Sequence, residues 1–178
     1  MFASDKIYHD SKPEEIENGV PDSALYRNVD VAVIDADRKG WVRGLVISPP
    51  TMGSVADSYI VLLDAILKNA DAVPHGREGV YLLEAGEHTW YDVSKTVGKV
   101  FVELGLAKSN EPVPFTEEGL QKYIGSTFMG YLALGSNARG RAEQIRALGW
   151  KPKYTTSDLY VLIKSEVEVH ARAAEALA

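Results

Sequence analysis

Apolar and polar positions change period several times along the 178-residue chain, and each change predicts an element. Residues 1 to 22 are polar and proline-containing, and read as an irregular N-terminal arm that packs on something else, with weak helical character at Lys12 to Asn18. Residues 23 to 178 read as one α/β domain. From Ser23, an N-cap residue, Leu25, Val29, Ala32 and Ala36 fall on one stripe and Gly40 closes the run, which predicts a helix with that stripe inward. Trp41 to Ser48 is an apolar, β-branched run stopped by Pro49-Pro50, the pattern of a strand buried on both faces. Helical spacing returns at Val55 to Asn69 through Val55, Tyr59, Leu62, Leu63 and Ile66. His75 to Gly79 predicts a turn and Val80 to Leu83 a short strand. Further helices are predicted over Thr89 to Leu104, Thr116 to Ile124, Ala138 to Leu148 and Thr156 to Leu177. Thr116 is a cap without a full capping box, because Gly119 stands where the glutamate belongs.

Composition narrows the function classes. The chain is 46% hydrophobic, enough for one domain with a core, and its net charge of −6 is spread among mixed signs. No basic stripe invites a phosphate backbone, so nucleic acid is not an expected partner. The absence of cysteine removes disulfides, thiolate ligands and thiol nucleophiles, and fits a reducing compartment. The first ten residues lack the apolar core of a signal peptide, and no apolar run approaches the roughly 20 residues that span a bilayer. A cytoplasmic protein without membrane contact is the expectation. The four histidines, His9, His75, His88 and His170, show no metal-ligand spacing, so no metal is expected.

The segment Ala138 to Pro152 reads as a helix, a glycine stop and a Trp-x-Pro exit (Leu148-Gly149-Trp150-Lys151-Pro152), followed by a final helix. This resembles the closing motif of extended short-chain dehydrogenases of the NAD-dependent epimerase/dehydratase-like group. Tyr26 to Val33 followed by Trp41 to Pro50 looks like that family's catalytic helix and the strand after it. Glu84 to Leu104, with Gly86-Glu87-His88-Thr89-Trp90, is similar to the segment entering its substrate domain, especially in atypical fungal members. The resemblance implies an α/β fold, a truncated Rossmann-like remnant with a helix-rich substrate domain. Three departures accompany it. No G-x-G-x-x-G turn occurs, so the pyrophosphate cradle of a dinucleotide is not encoded and no cofactor is expected. The family's Tyr-x-x-x-Lys aligns with Tyr26 and Asp30, and an aspartate there raises the pKa of a neighbouring phenol by like-charge repulsion. The stretch from Pro49 to Asp57 is shorter than the family's counterpart.

Several residues are candidates for chemistry. Tyr26 and Asp30, one helical turn apart, form either an acid/base pair or a packed ring beside a solvated carboxylate. His88, between Glu87 and Trp90 at a strand-to-helix junction, is either a general base beside an aromatic wall or a helix-entry residue next to the cap Thr89. His9, flanked by Tyr8 and Asp10, is a second proton-transfer candidate, an Asp-oriented imidazole if the arm covers a pocket and an exposed histidine otherwise. Ser48 and Thr51 lie at the carboxyl end of the expected strand, where they either orient a ligand or terminate the strand. Asn137, Arg139 and Arg141 near a helix start hold an anion or serve solubility.

These observations combine into an expectation of a cofactor-independent small-molecule enzyme, an isomerase, cyclase or lyase of secondary metabolism, active as a homodimer or higher oligomer. Two alternatives stand beside it: a fragment or subunit of an NAD(P)-dependent oxidoreductase, and a non-catalytic ligand-binding or dimerisation module.

Overall fold

A computed structural model describes residues 4–48 and 55–175. The protein is α/β, mostly helical, with a few short strands in small sheets. It divides into two compact units: residues 5–85 with 139–154, which hold the strands found among the described residues, and a helical unit of Gly86–Ala138 with the segment from Thr155 onward and Ser4.

The strand-bearing unit opens with β1 (Tyr8–His9) and α1 (Pro13–Gly19), continues through α2 (Arg27–Arg38), β2 (Val46–Ser48), α3 (Val55–Asn69) and β3 (Val80–Leu82), and ends with β4 (Gly140–Arg141) and α7 (Glu143–Ala147). Its strands form two parallel pairs, β1 with β4 and β2 with β3. The β2–α3–β3 segment is thus a parallel pair joined through a helix, the connection that parallel strands require. Its core is built from Leu62 of α3, Val73, Tyr81 and Leu83 around β3, and Ala142, Ile145 and Trp150 around α7. Tyr81 is fully buried, its hydroxyl donates to the Pro74 carbonyl at 2.8 Å, and burial pushes its pKa up to about 12.

One carboxylate ties this unit together. Asp10, 1% exposed, accepts the backbone N–H groups of Leu82 (3.1 Å), Glu143 (2.8 Å) and Gln144 (3.0 Å). The residue before α7 is Ala142, which has no side chain to satisfy the free N–H groups of a helix start, so Asp10 caps the helix from a distant strand. Burial pushes the Asp10 carboxyl up, the three N–H donors pull it down, and the charge of Glu143 adds to the rise. At the other end of α7, Gly149 (φ +103°) lets the Gly149 and Trp150 N–H groups bond back to the Arg146 and Ile145 carbonyls, the Schellman pairing. The glycine stop read from Leu148-Gly149-Trp150 therefore stands, and it delivers Trp150 to the core at 2% exposure.

Three expectations need correction here. The expected helix from Ala138 starts only at Glu143, because residues 140–141 pair with Tyr8–His9 and Gly140 lies so close to Leu82 that a Cβ would come within 2.8 Å of its Cδ1. The expected strand Trp41 to Ser48 shortens to Val46–Ser48 and is not buried on both faces: Trp41 and Val42 are 72% and 54% exposed, and Ser48 is exposed. Helix α2 also turns the other way from expectation, with Leu25 and Val29 outward at 63% and 52% exposure and Arg27 buried. Its start is set by Tyr26, whose backbone is left-handed (φ 64°), unusual for a residue with a Cβ.

The helical unit comprises α4 (Trp90–Glu103), α5 (Glu117–Ile124), α6 (Thr127–Leu134) and α8 (Thr156–Glu175), with α4 against α8 and α5 against α6. Thr89 and Thr116 cap α4 and α5 as expected, accepting the Asp92 and Gly119 N–H groups. Helix α6 was not expected; Ser126 caps it, and its Gly130 packs against Leu120. No helix among the described residues is long and apolar enough to cross a membrane.

Replacing Asp10 with alanine strands three backbone donors, two of them at a helix start, so this variant is expected to lose about 3 kcal/mol of stability in urea unfolding. Asp10→Asn, which keeps one acceptor oxygen, should lose less; equal stability of Asp10→Ala and wild type would overturn the capping role.

Candidate functional site

The strongest constellation lies in a cleft of the strand-bearing unit, about 840 Å³ in volume, between α1, α2 and the segment that leads from Asp71 to Val80. Its inner end is organised by Asp37 of α2. The Asp37 Oδ2 accepts the Gly44 N–H at 2.8 Å and the His75 Nδ1–H at 2.7 Å. Gly44 returns the link by accepting the Gly76 N–H at 2.8 Å. Gly76 is left-handed (φ +62°), and a Cβ there would come within 2.4 Å of the Asp37 carboxylate, so only glycine allows His75 and Asp37 to meet in this way.

The chemistry of this pair follows from its bonds. With Nδ1 committed to the carboxylate, the neutral imidazole carries its proton there and presents Nε2 as an acceptor. Nε2 has no partner among the described residues. The Asp37 side chain is 11% exposed and that of His75 37% exposed, so a partly covered carboxylate orients a histidine that solvent and small molecules reach. The Gly44 N–H, then the His75 hydrogen bond, hold the Asp37 carboxyl below its ordinary value. It stays ionised at neutral pH and stabilises the imidazolium that forms when His75 takes a proton.

Apolar side chains of Ile16, Val31, Ile34 and Val73 also line the cleft. Arg27, 7% exposed, enters from the first position of α2. Arg38 and Arg77 stand at the cleft with their charges matched, Arg38 to Asp35 at 2.9 Å and Arg77 to Glu17 at 3.0 Å.

The residues singled out from sequence are placed differently. Tyr26 precedes α2 rather than sharing its face with Asp30, is 68% exposed, and makes no side-chain hydrogen bond to Asp30. Burial pushes the Asp30 carboxyl up, and the Arg27 charge partly offsets this. His9 does have a carboxylate partner, but it is Glu143, at 2.8 Å from Nδ1, because Asp10 is turned to backbone donors. Glu143 also accepts the Ser11 hydroxyl, and the Ser11 bond, then His9, holds its carboxyl below the usual range. Ser48 is exposed at the end of β2, where its carbonyl accepts the Leu83 N–H, and Thr51 lies outside the described residues. Arg139, before β4, donates to the Asp5 carbonyl at 3.4 Å.

In the helical unit, the Asn137 amide is occupied with the Ser4 backbone, donating to its carbonyl and accepting its N–H, each at 2.7 Å. His88 meets Trp90 edge-on, with ring centroids 6.2 Å apart, and the Trp90 indole N–H donates to the Ala133 carbonyl at 3.0 Å. Among the described residues no three metal-ligating side chains gather at one point.

Asp37, His75 and Arg27 were not singled out from sequence. His75 sits in a glycine turn and Asp37 at the C-terminal end of an expected helix, 38 residues apart. The two glycines around Arg77 mark a tight turn, but nothing local says what the turn approaches.

Comparison of the chain with models of protein families, with curated proteins and with solved structures finds no match.

The lowered pKa of Asp37 fixes the sign of a pH effect. The stabilisation that the ionised carboxylate gives to the Gly44 and His75 contacts is fully present above the ordinary carboxylate range and is lost as pH falls through the lowered value. Amide exchange at Gly44 and Gly76, corrected for intrinsic rates, should therefore speed up on acidification below that range, and Asp37→Asn should remove most of the dependence. A Gly44 amide indifferent to acid in the wild type would contradict the tie.

Proposed function

We propose that this protein is a small-molecule enzyme that works by acid/base chemistry without a nicotinamide cofactor, with His75 as the proton-transfer group and Asp37 as the carboxylate that orients it. The observation that carries this reading is the 2.7 Å Asp37–His75 contact at a cleft of about 840 Å³ lined by both apolar and charged side chains. A pocket of that size encloses a metabolite-sized molecule, and isomerisation, cyclisation or elimination needs a positioned base, an acid and partial exclusion of water. The absence of a glycine-rich pyrophosphate turn from the sequence supports the cofactor-free part.

The parallel β2–α3–β3 unit supports a finer description of the fold as a Rossmann-like remnant resembling extended short-chain dehydrogenases. A homodimer is part of the proposal, supported by the exposure of Leu25, Val29, Trp41 and Val42 on the strand-bearing unit. Light scattering at micromolar concentration should give twice the chain mass, and Val29→Asp with Trp41→Ser should halve it. A monomeric wild type overturns that part.

Proton transfer can be read before the native substrate is known, as deuterium exchange at carbon in a panel of small carbonyl compounds in D₂O. His75→Gln and Asp37→Asn are expected to slow exchange of any active compound by about 10²–10⁴-fold. Exchange by both folded variants at the wild-type rate would sink the assignment.

A further inference from the structure

Arg27 carries a charge that the cleft leaves unanswered. The residue is 7% exposed, its Nε is buried without an acceptor, and its Nη2 makes only a long hydrogen bond, 3.3 Å to the Glu17 carbonyl. No carboxylate among the described residues lies within ion-pair distance of it, whereas Arg38 and Arg77 at the same cleft are both paired. Asp30 feels the Arg27 charge without bonding to it. A guanidinium does not escape burial by losing its proton, as a lysine or histidine does. It is therefore held at a desolvation cost that an incoming anion relieves.

The surroundings select among anions. Glu17, Asp22, Asp35, Asp71 and Glu78 make carboxylates more numerous than guanidiniums in the lining, so a polyphosphate or dicarboxylate is repelled. A single planar carboxylate suits the guanidinium fork, and Val31, Ile34 and Val73 offer its remainder an apolar wall. We infer that the cleft takes a small monocarboxylate with an apolar body, and that Arg27 is the residue that binds its carboxylate. This rests on the reading of the cleft as the substrate site, and it adds the substrate class.

The test uses the full chain, with trans-cinnamate and hexanoate as probes and the neutral cinnamamide and inorganic pyrophosphate as controls, followed by calorimetry and by amide shifts. At least one carboxylate should bind, with shifts centred on Val31, Ile34 and His75, and cinnamamide should bind about tenfold more weakly than cinnamate or worse. Arg27→Met should lose the preference for carboxylate over amide while melting at or above the wild-type temperature, since it removes an unpaired buried charge. Arg27→Lys should keep part of the preference. The proposal is overturned if neither carboxylate binds, if cinnamamide matches cinnamate, if pyrophosphate binds more tightly than both, or if Arg27→Met melts lower than the wild type. His75→Gln separates this from the acid/base reading: it should slow deuterium exchange by about 10²–10⁴-fold and leave the carboxylate preference intact. Exchange at the wild-type rate in His75→Gln sinks the base assignment, while the carboxylate preference still stands or falls on Arg27.

Discussion

The strand-bearing unit depends on the Asp10 carboxylate more than on any apolar contact. Its strands are two or three residues long, too short for ladder bonds alone to hold them. Asp10 supplies what the ladders lack, because one side chain joins β1 to β3 through Leu82 and to the start of α7 through Glu143 and Gln144. Gln144 reinforces the same junction from the other direction, its amide donating to the Asp10, Glu78 and Val80 carbonyls. The apolar core of Tyr81, Leu83, Ile145 and Trp150 then closes over elements already fixed in register. Its energy is non-directional and sets compactness, whereas the carboxylate sets which residues meet.

The cleft repeats this arrangement with a different balance. Asp37 also gathers a backbone N–H, but its other partner is an imidazole rather than a further amide. At Asp10 every donor to the carboxylate is a backbone N–H and the result is structural. At Asp37 one donor is a ring nitrogen of a side chain partly open to solvent, so the contact that pins the Gly76–Glu78 turn to α2 also orients a proton acceptor. The left-handed Gly76 serves both purposes, since the close approach that admits the carboxylate is the one that aims the histidine.

What could be read from the sequence divides along physical lines. Elements determined by local periodicity and caps were legible: α3 spans Val55–Asn69 as expected, and Thr89, Thr116 and Gly149 cap or stop helices where they were read to. Elements determined by distant partners were not. Residues 140–141 fall in a stretch read as helical and become a strand because Tyr8–His9 pair with them, a contact across more than 130 positions that no periodicity encodes. The orientation of α2 failed for a related reason: its apolar stripe suggested one inward face, but the Asp37–Gly44 and Asp37–His75 bonds, with buried Arg27, favour the opposite one.

The same divide explains the candidate site. Tyr26 and Asp30 were selected because four residues separate them, which assumes that the helix already runs at Tyr26. The left-handed backbone at Tyr26 breaks that assumption, starting α2 one residue later and placing Arg27 at its first position. The turn that removes Tyr26 from the helical face is thus the turn that delivers a buried guanidinium to the cleft. A left-handed non-glycine residue costs conformational energy, and so does a buried charge without a counterion. Two costs at adjacent residues, the second of them lining the cleft, are what the proposed carboxylate site would require if geometry there is held for a ligand rather than for the free protein's stability.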